Sequence, residues 1–277
     1  MNRYAAAMPL VFVILSVNCA SRAQVASAPT TQATSRPAVV TTAPAAASQP
    51  DAAVLKILNN LEEAGQKYRT IKAGVDYHVD MVQTGDEESR NGYVAYQGDD
   101  DKSPAKFRVS FDKFRQAQGP WIAQKLDYVF DGQWLWAVKH NVKQATKYQV
   151  AAEGEKVEPY KLGQGPFPLP FGQKADDMIK HFEAATRPLR DGEPKGTIYL
   201  KLIPRKDRRD EFGFVRLEMW IDPATYLPMK IVSEDKSENI TTVTFNGVET
   251  GKQVDPKLFT YQAPLDYNLH VKRLNEN

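Results

Sequence analysis

Residues able to do chemistry are sparse in this 277-residue chain, and their spacing matches no common catalytic or metal-binding pattern. The four histidines, His78, His140, His181 and His270, are scattered, and no two stand at a separation that would place paired imidazoles around a metal ion. Each reads as a surface or edge residue. Asp99-Asp100-Asp101 lacks the spaced oxygen ligands and the glycine of a calcium loop, so it reads as a solvated turn. The run from Arg205 to Glu211 mixes both signs and reads as a hairpin tip, with contact to a partner or to anionic headgroups as the alternative. Asn239-Ile240-Thr241 matches a glycosylation triplet, a pattern common by chance. There is no nucleophile elbow, phosphate loop or pair of carboxylates at catalytic spacing. The expectation is a protein without enzymatic activity, cofactor or metal.

If reactive groups do not carry the function, apolar surface must. The stretch from Asp127 to Val150 holds two apolar runs around Asp131-Gly132. An Asp-Gly pair between alternating hydrophobics signals a hairpin, because glycine accepts the positive φ of a tight turn. Side chains alternate along a strand, so Trp134, Trp136 and Val138 share one face, either as sealed core or as the wall of an apolar cavity. A second apolar feature is the segment Gly165–Gly172, where three prolines alternate with Phe167, Leu169 and Phe171. No regular element tolerates that proline density, and a long irregular insertion with an apolar tip is usually functional.

Composition bounds the rest. Apolar residues make up 42% and charged residues 25%, ordinary values for a globular domain, and the net charge is +2. Residues 1–23 contain Arg3 and Arg22 but no acid; without them, basic and acidic residues are equal at 34 each. A near-neutral chain lacks the clustered cationic excess that nucleic acid demands. Residues 1–23 read as an export signal: Arg3, an apolar run from Ala5 to Val17, then Ser21-Arg22-Ala23 with small residues at the −3 and −1 positions for cleavage after Ala23. The competing reading is lipidation at Cys19, where Asn18 departs from the small residue such a signal wants. Cys19 is the sole cysteine, so cleavage after Ala23 leaves neither a disulfide nor a thiol nucleophile. Residues 24–50 are rich in Ala, Thr, Ser and Pro, with no apolar face to offset their ordering entropy, and read as a tether.

The folded part is expected over 51–267, with 268–277 as a tail. Asp51 caps a helix reaching to about Tyr68, with Val54, Leu55, Leu58, Leu61 and Ala64 on its apolar face. Strand patterns follow: Ala73 to Met81, Gly92 to Tyr96, Phe107-Val109-Phe111, the tryptophan hairpin and a segment near Tyr148. Asp176 to Ala185 reads as a short helix with Met178, Ile179 and Phe182 as its apolar positions. The second half is again strands, at Ile198–Pro204, Val215–Ile221, Leu227–Ser233 and Ile240–Val248, then Leu258–Tyr261. Short connections predict antiparallel pairing of about eleven strands.

Several landmarks stand in a telling order: Phe107-Arg108-Val109; Phe130 to Trp136; Val142 to Thr146; Pro166-Phe167-Pro168-Leu169 before a short helix; Tyr199 to Pro204; Leu217 to Ile221; Asn239-Ile240-Thr241; Phe245-Asn246-Gly247-Val248; and Asp255 to Phe259. From about Asp51 to Tyr267 this series resembles the periplasmic outer-membrane lipoprotein carrier proteins (LolA) and their sorting-protein relatives. The resemblance implies a mainly β fold: an incomplete, curved antiparallel β-barrel with helices as a lid over an apolar cavity for acyl chains. It implies cavity residues Tyr77, Phe107, Val109, Phe111, Trp134, Trp136, Leu217 and Met219, and lid residues Phe167, Leu169, Phe171 and Met178. In the family, an arginine on the strand before the Phe107 position supports closure; here the region from Tyr96 to Ala105 offers Gln97 and Lys102 but no arginine. The implied protein is a monomeric carrier or binder of lipoproteins or lipids in the periplasm or cell envelope, meeting membrane-associated donors or acceptors. The alternatives are an envelope sensor that signals by protein contact, and a structural protein with a solid core.

Overall fold

A computed structural model of the chain describes residues 51–100, 103–152, 155 and 173–274. Its body is one twelve-stranded sheet in the order β12-β6-β5-β4-β3-β2-β1-β11-β10-β9-β8-β7. The strands on one side of the centre are β1 (Thr70–Met81), β2 (Asp86–Gln97), β3 (Lys106–Gln116), β4 (Ile122–Phe130), β5 (Trp134–Lys139) and β6 (Gln144–Gln149). On the other are β7 (Phe182–Ala185), β8 (Ile198–Pro204), β9 (Arg216–Ile221), β10 (Pro228–Glu234) and β11 (Ile240–Thr250); β12 (Asn268–Lys272) returns to β6. Two meanders are thus joined by the long-range pair β1–β11, which holds Tyr77 opposite Val243. The two outermost strands, β12 and β7, do not pair with each other, so the barrel stays open.

Local chemistry explains the elements. Helix α1 (Ala52–Lys67) starts where the Asp51 carboxylate accepts from the Ala53 amide at 3.1 Å, satisfying one of the free donors of the first turn. Its stripe Val54, Ile57, Leu58, Leu61 and Ala64 is buried at helical spacing. The Asp131 carboxylate accepts from the amides of Gln133 and Trp134 at 2.9 and 2.8 Å, and Gly132 takes φ +110°, which closes the expected hairpin. A side chain at Gly132 would also strike Pro104, its Cβ landing 2.2 Å from the ring.

Two expectations need correction. Helix α2 spans only Ala175–His181, and Phe182, expected on the helix, opens β7 opposite Pro204, because pairing with β8 outweighs helical spacing over so short a segment. The segment expected as a tail carries β12, which lies parallel to β6, so the sheet is not wholly antiparallel and has twelve strands. The mixed-sign run does lie at a hairpin tip, between the antiparallel strands β8 and β9, where Lys206–Glu211 forms a 3-10 turn.

Candidate functional site

Cross-strand register decides which side chains share a face, because residues directly opposite in an antiparallel pair point the same way. Tyr77 faces Arg90 and Val243; Val243 faces Ile231, which faces Met219, which faces Leu200. On the other meander, Phe107 faces Tyr96 and Phe130, Val109 faces Val94 and Tyr128, and Phe111 faces Gly92 and Leu126. Val75 ties the halves together, opposite both Gly92 and Phe245. The face is therefore continuous from β4 across the centre to β8. Tyr77, Phe107, Val109, Phe111, Leu217 and Met219 all lie on it and none is more than 4% exposed. The rings of Tyr77 and Phe111 are 5.6 Å apart, and those of Phe107 and Phe130 stack at 5.6 Å. Gly92 is required here: a Cβ would fall 1.8 Å from the Ser110 carbonyl oxygen, where β2 crosses a bulge in β3.

The tryptophans are elsewhere. Phe130 pairs with Leu135, so Trp134 and Trp136 point to the opposite side of the sheet from Phe107, Val109 and Phe111. Trp136 lies against Val129, Val138 and Ala145, with Tyr261, Ala263 and Tyr267 of the C-terminal segment packed over them. Its ring meets that of Tyr261 edge-on at 5.3 Å. The expected single cavity wall is therefore split between two faces: Trp136 belongs to a separate, covered cluster, and half-buried Trp134 shares its side of the sheet.

Among the expected lid residues, Met178 on α2 is buried, while Phe167, Leu169 and Phe171 lie outside the described residues. The two helices touch each other: the Ala175 amide donates to the Glu62 carboxylate of α1 at 2.9 Å. Beside α2, Phe182, Phe212 and Phe214 form a ring cluster with centroids 4.7–5.9 Å apart, and the Arg205 guanidinium donates to the Ile179 carbonyl at 3.1 Å.

At one end the apolar face turns polar. Arg90, on the strand preceding that of Phe107, is buried opposite Tyr77, donates to Gln124 at 2.8 Å, and lies 4.5 Å above the Phe114 ring. An arginine is thus present on that strand, six residues before the region from Tyr96 to Ala105 that the resemblance singles out. Finding it needs the full extent of β2, which reaches back to Asp86. Burial pushes the phenols of Tyr77 and Tyr128 up and, with help from the Arg90 charge, the Lys139 ammonium down.

The opposite face holds the densest polar network. Asp127, fully buried, accepts from the Ser110 hydroxyl, from Arg108 at 3.0 Å and from His140 Nε2 at 2.8 Å; His140 Nδ1 lies 3.0 Å from the Tyr267 hydroxyl. Burial alone would raise the Asp127 carboxyl, but the Ser110 bond, the Arg108 charge and the His140 bond outweigh it and hold the pKa below the ordinary value. Ser, Asp and His meet here without the nucleophilic arrangement, since Ser110 donates to the carboxylate and His140 contacts the same carboxylate instead of the hydroxyl. The network fastens the C-terminal segment. A further trio, His78, Asp80 and Glu87, brings metal-ligating atoms within 4.8 Å of one another at the β1–β2 hairpin. Both nitrogens of His78 are already engaged there, by Ser89 and Asp80 at 2.9 Å each.

No known family profile and no curated protein matches the sequence. Solved structures align with most of the chain. An uncharacterized conserved protein from Thermus thermophilus aligns at 14% identity and a TM-score of 0.46, over 80% of this chain and 99% of the other. A LolA superfamily protein from Nitrosomonas europaea aligns at 13% identity and 0.35, over 75% and 97%. The Pseudomonas aeruginosa MucA/MucB complex aligns at 16% and 0.40, over 76% of this chain and 62% of that one. The open, mainly antiparallel sheet of the strand order is what the ordered landmarks implied.

Proposed function

We propose that this LolA-like protein is an exported carrier or binder of lipoproteins or lipid acyl chains, taking them up against the Phe107 face beneath movable helical elements. The observation that carries the reading is the continuous apolar face from β4 to β8; α1 and α2, the candidate cover, are tied to each other by the Glu62–Ala175 hydrogen bond. A methylene removed from water gains about 0.8 kcal/mol, so a long acyl chain gains on the order of 10 kcal/mol against an apolar wall with no reactive group involved. Release is then exchange into another apolar site, with little net change. Arg90, Tyr77 and Tyr128 at the polar end of the face suit the head of a chain whose tail lies along Phe111, Val109 and Phe107. Export to the periplasm follows from the signal read in residues 1–23; among the described residues no helix is long and apolar enough to cross a membrane.

The test is recovery of the mature chain from an envelope fraction, with mass spectrometry of co-purifying lipids and acylated proteins and titration with a fluorescent fatty-acyl probe. Acylated species and saturable probe binding support the reading; absence of both overturns it. Mass of the native N-terminus separates cleavage after Ala23 from lipidation at Cys19.

One observation favours the second reading, a sensor that works through protein contacts. Leu265, Leu269, Val271 and Leu274 are exposed along and beside the edge strand β12, and Val142 is exposed in the turn before β6, the strand with which β12 pairs. Removing residues 268–277 should abolish partner capture and leave acyl-probe affinity unchanged if that reading holds.

A further inference from the structure

On the tryptophan side of the sheet, far along it from the Trp136 cluster, β7, β8, β9 and the loop after β7 enclose a cleft of about 360 Å³. Its wall contains Arg187, Arg190, Lys201 and Arg216 against the single carboxylate of Glu218, with the ring of Tyr199 among them. Most of that charge is already matched. The Arg187 guanidinium lies 3.6 Å above the Tyr199 ring and forks the Glu193 carboxylate at 2.6 and 2.9 Å, holding that acid down to about 2. Arg216 pairs with Glu234 at 2.8 Å. Glu218 accepts from the Tyr199 hydroxyl at 2.7 Å, and although Lys201 stands opposite it in the β8–β9 register, the two form no ion pair.

Two cations are left over. Neither the Arg190 guanidinium nor the Lys201 ammonium forms an ion pair with any described residue, yet both line the same concavity. Cations gathered in one concave site, with the neighbouring acids already engaged, favour an anion that completes their hydrogen bonds. The stacked Arg187–Tyr199 pair supplies a fixed wall, and the cleft is roomy enough for a tetrahedral oxyanion carrying a small polar substituent.

We propose that this cleft binds a phosphate group between Arg190 and Lys201. The proposal does not rest on the acyl-carrier reading, because the cleft is on the other face of the sheet. The shared chemistry is a phosphate oxyanion, whether free or on a lipid headgroup.

The experiment titrates the purified full chain with inorganic phosphate at constant ionic strength, using sodium chloride as the reference, by calorimetry and by thermal unfolding. Saturable phosphate binding with a rise in melting temperature that chloride does not give is expected. The double variant Arg190→Ala/Lys201→Ala should bind at least about tenfold more weakly, and Lys201→Arg should retain most of the affinity. Flotation with phosphatidylglycerol vesicles against phosphatidylcholine vesicles separates the sources. Vesicle binding that phosphate competes away and the double variant loses assigns a headgroup; phosphate binding without vesicle binding assigns the free ion. A phosphate titration indistinguishable from chloride, or a folded double variant that keeps its affinity within twofold, overturns the proposal.

Discussion

The two faces of this sheet bury their residues by different physics. The Phe107 face is apolar through its middle, where Val109, Phe111, Phe130, Ile231, Met219 and Leu200 follow one another, and polar groups gather at its Arg90 end. The Trp136 face sets buried Asp127 against Arg108, Ser110 and His140 beside the apolar cluster, and latches the C-terminal segment over both. An apolar wall can exchange one cover for another at little cost, since every carbon surface is nearly equivalent to it. A buried carboxylate depends on particular partners, because losing Arg108, Ser110 or His140 leaves its charge without a donor. The first face asks only for apolar cover, whereas the second is tied to particular partners.

The comparison hangs on one bulge. Phe111 and Lys113 are two residues apart, yet their β2 partners, Gly92 and Asn91, are adjacent, so Asp112 is the extra residue and its neighbours face opposite sides. Extending the Lys113–Ala123 pairing without that irregularity would set Phe107 opposite Val129, and so on the face of Trp136. Gly92→Ala attacks the bulge directly, because its Cβ would lie 1.8 Å from the Ser110 carbonyl oxygen and backbone would have to give way. The expected cost is more than about 5 kcal/mol, read as loss of the cooperative unfolding transition. Phe107→Ala leaves the register intact and opens a cavity at a residue 1% exposed. It should cost about 3–5 kcal/mol in chemical denaturation and weaken the acyl probe as well. Asp127→Asn leaves Arg108 without its counter-charge on the other face and should cost about 3 kcal/mol with no change in probe affinity. Because the folded pKa of Asp127 lies below its unfolded value, its contribution is complete above the ordinary carboxylate range and is lost as the pH falls through the folded pKa. The variant should therefore show a flatter stability profile below about pH 4. An unchanged acid limb would mean that the network does not hold the charge.

Much of this is legible in the sequence. Asp51 and the three- and four-residue rhythm behind it mark α1 to within a residue, and Asp131-Gly132 marks the hairpin. Alternation assigns each strand its own two sides. What alternation cannot supply is the phase between strands: Trp136 and Phe107 each have a definite side on their own strands, and it is the irregularity at Asp112 that sets the one against the other. An exposed aspartate after Phe111 looks the same in sequence whether it bulges or pairs. The cationic cleft is invisible for a related reason, since Arg187, Lys201 and Arg216 are brought together by the β7–β8–β9 pairing and by no local spacing.

A smaller effect tests the helices that the proposed function makes the cover. Glu62→Ala removes the carboxylate that accepts from the Ala175 amide, and the cost should be about 0.5–1.5 kcal/mol. If the helices move when a chain enters, stopped-flow uptake of the acyl probe should quicken in this variant while its equilibrium affinity changes little. Unchanged uptake would place the rate-limiting motion elsewhere.

The smallest expected effect is also the most direct reading of the split. The Lys147 ammonium lies 4.2 Å above the Trp134 ring and 5.0 Å above that of Trp136, on a half-buried surface where such contacts are worth about 0.5–1 kcal/mol. Lys147→Gln should lower stability by no more than that and shift the tryptophan emission, because the ring environment changes. Trp220 is on this side too, since Met219 next to it faces Leu200 on the other, and Trp121 stacks with Arg115 at the exposed tip between β3 and β4. An acyl ligand occupying the Phe107 face should therefore leave the emission of Trp134 and Trp136 unmoved in the parent protein, the sheet itself standing between ligand and indoles. Quenching by a brominated acyl chain that depends on Trp134 or Trp136 would put the chain on the latched face and reverse the assignment of the two sides.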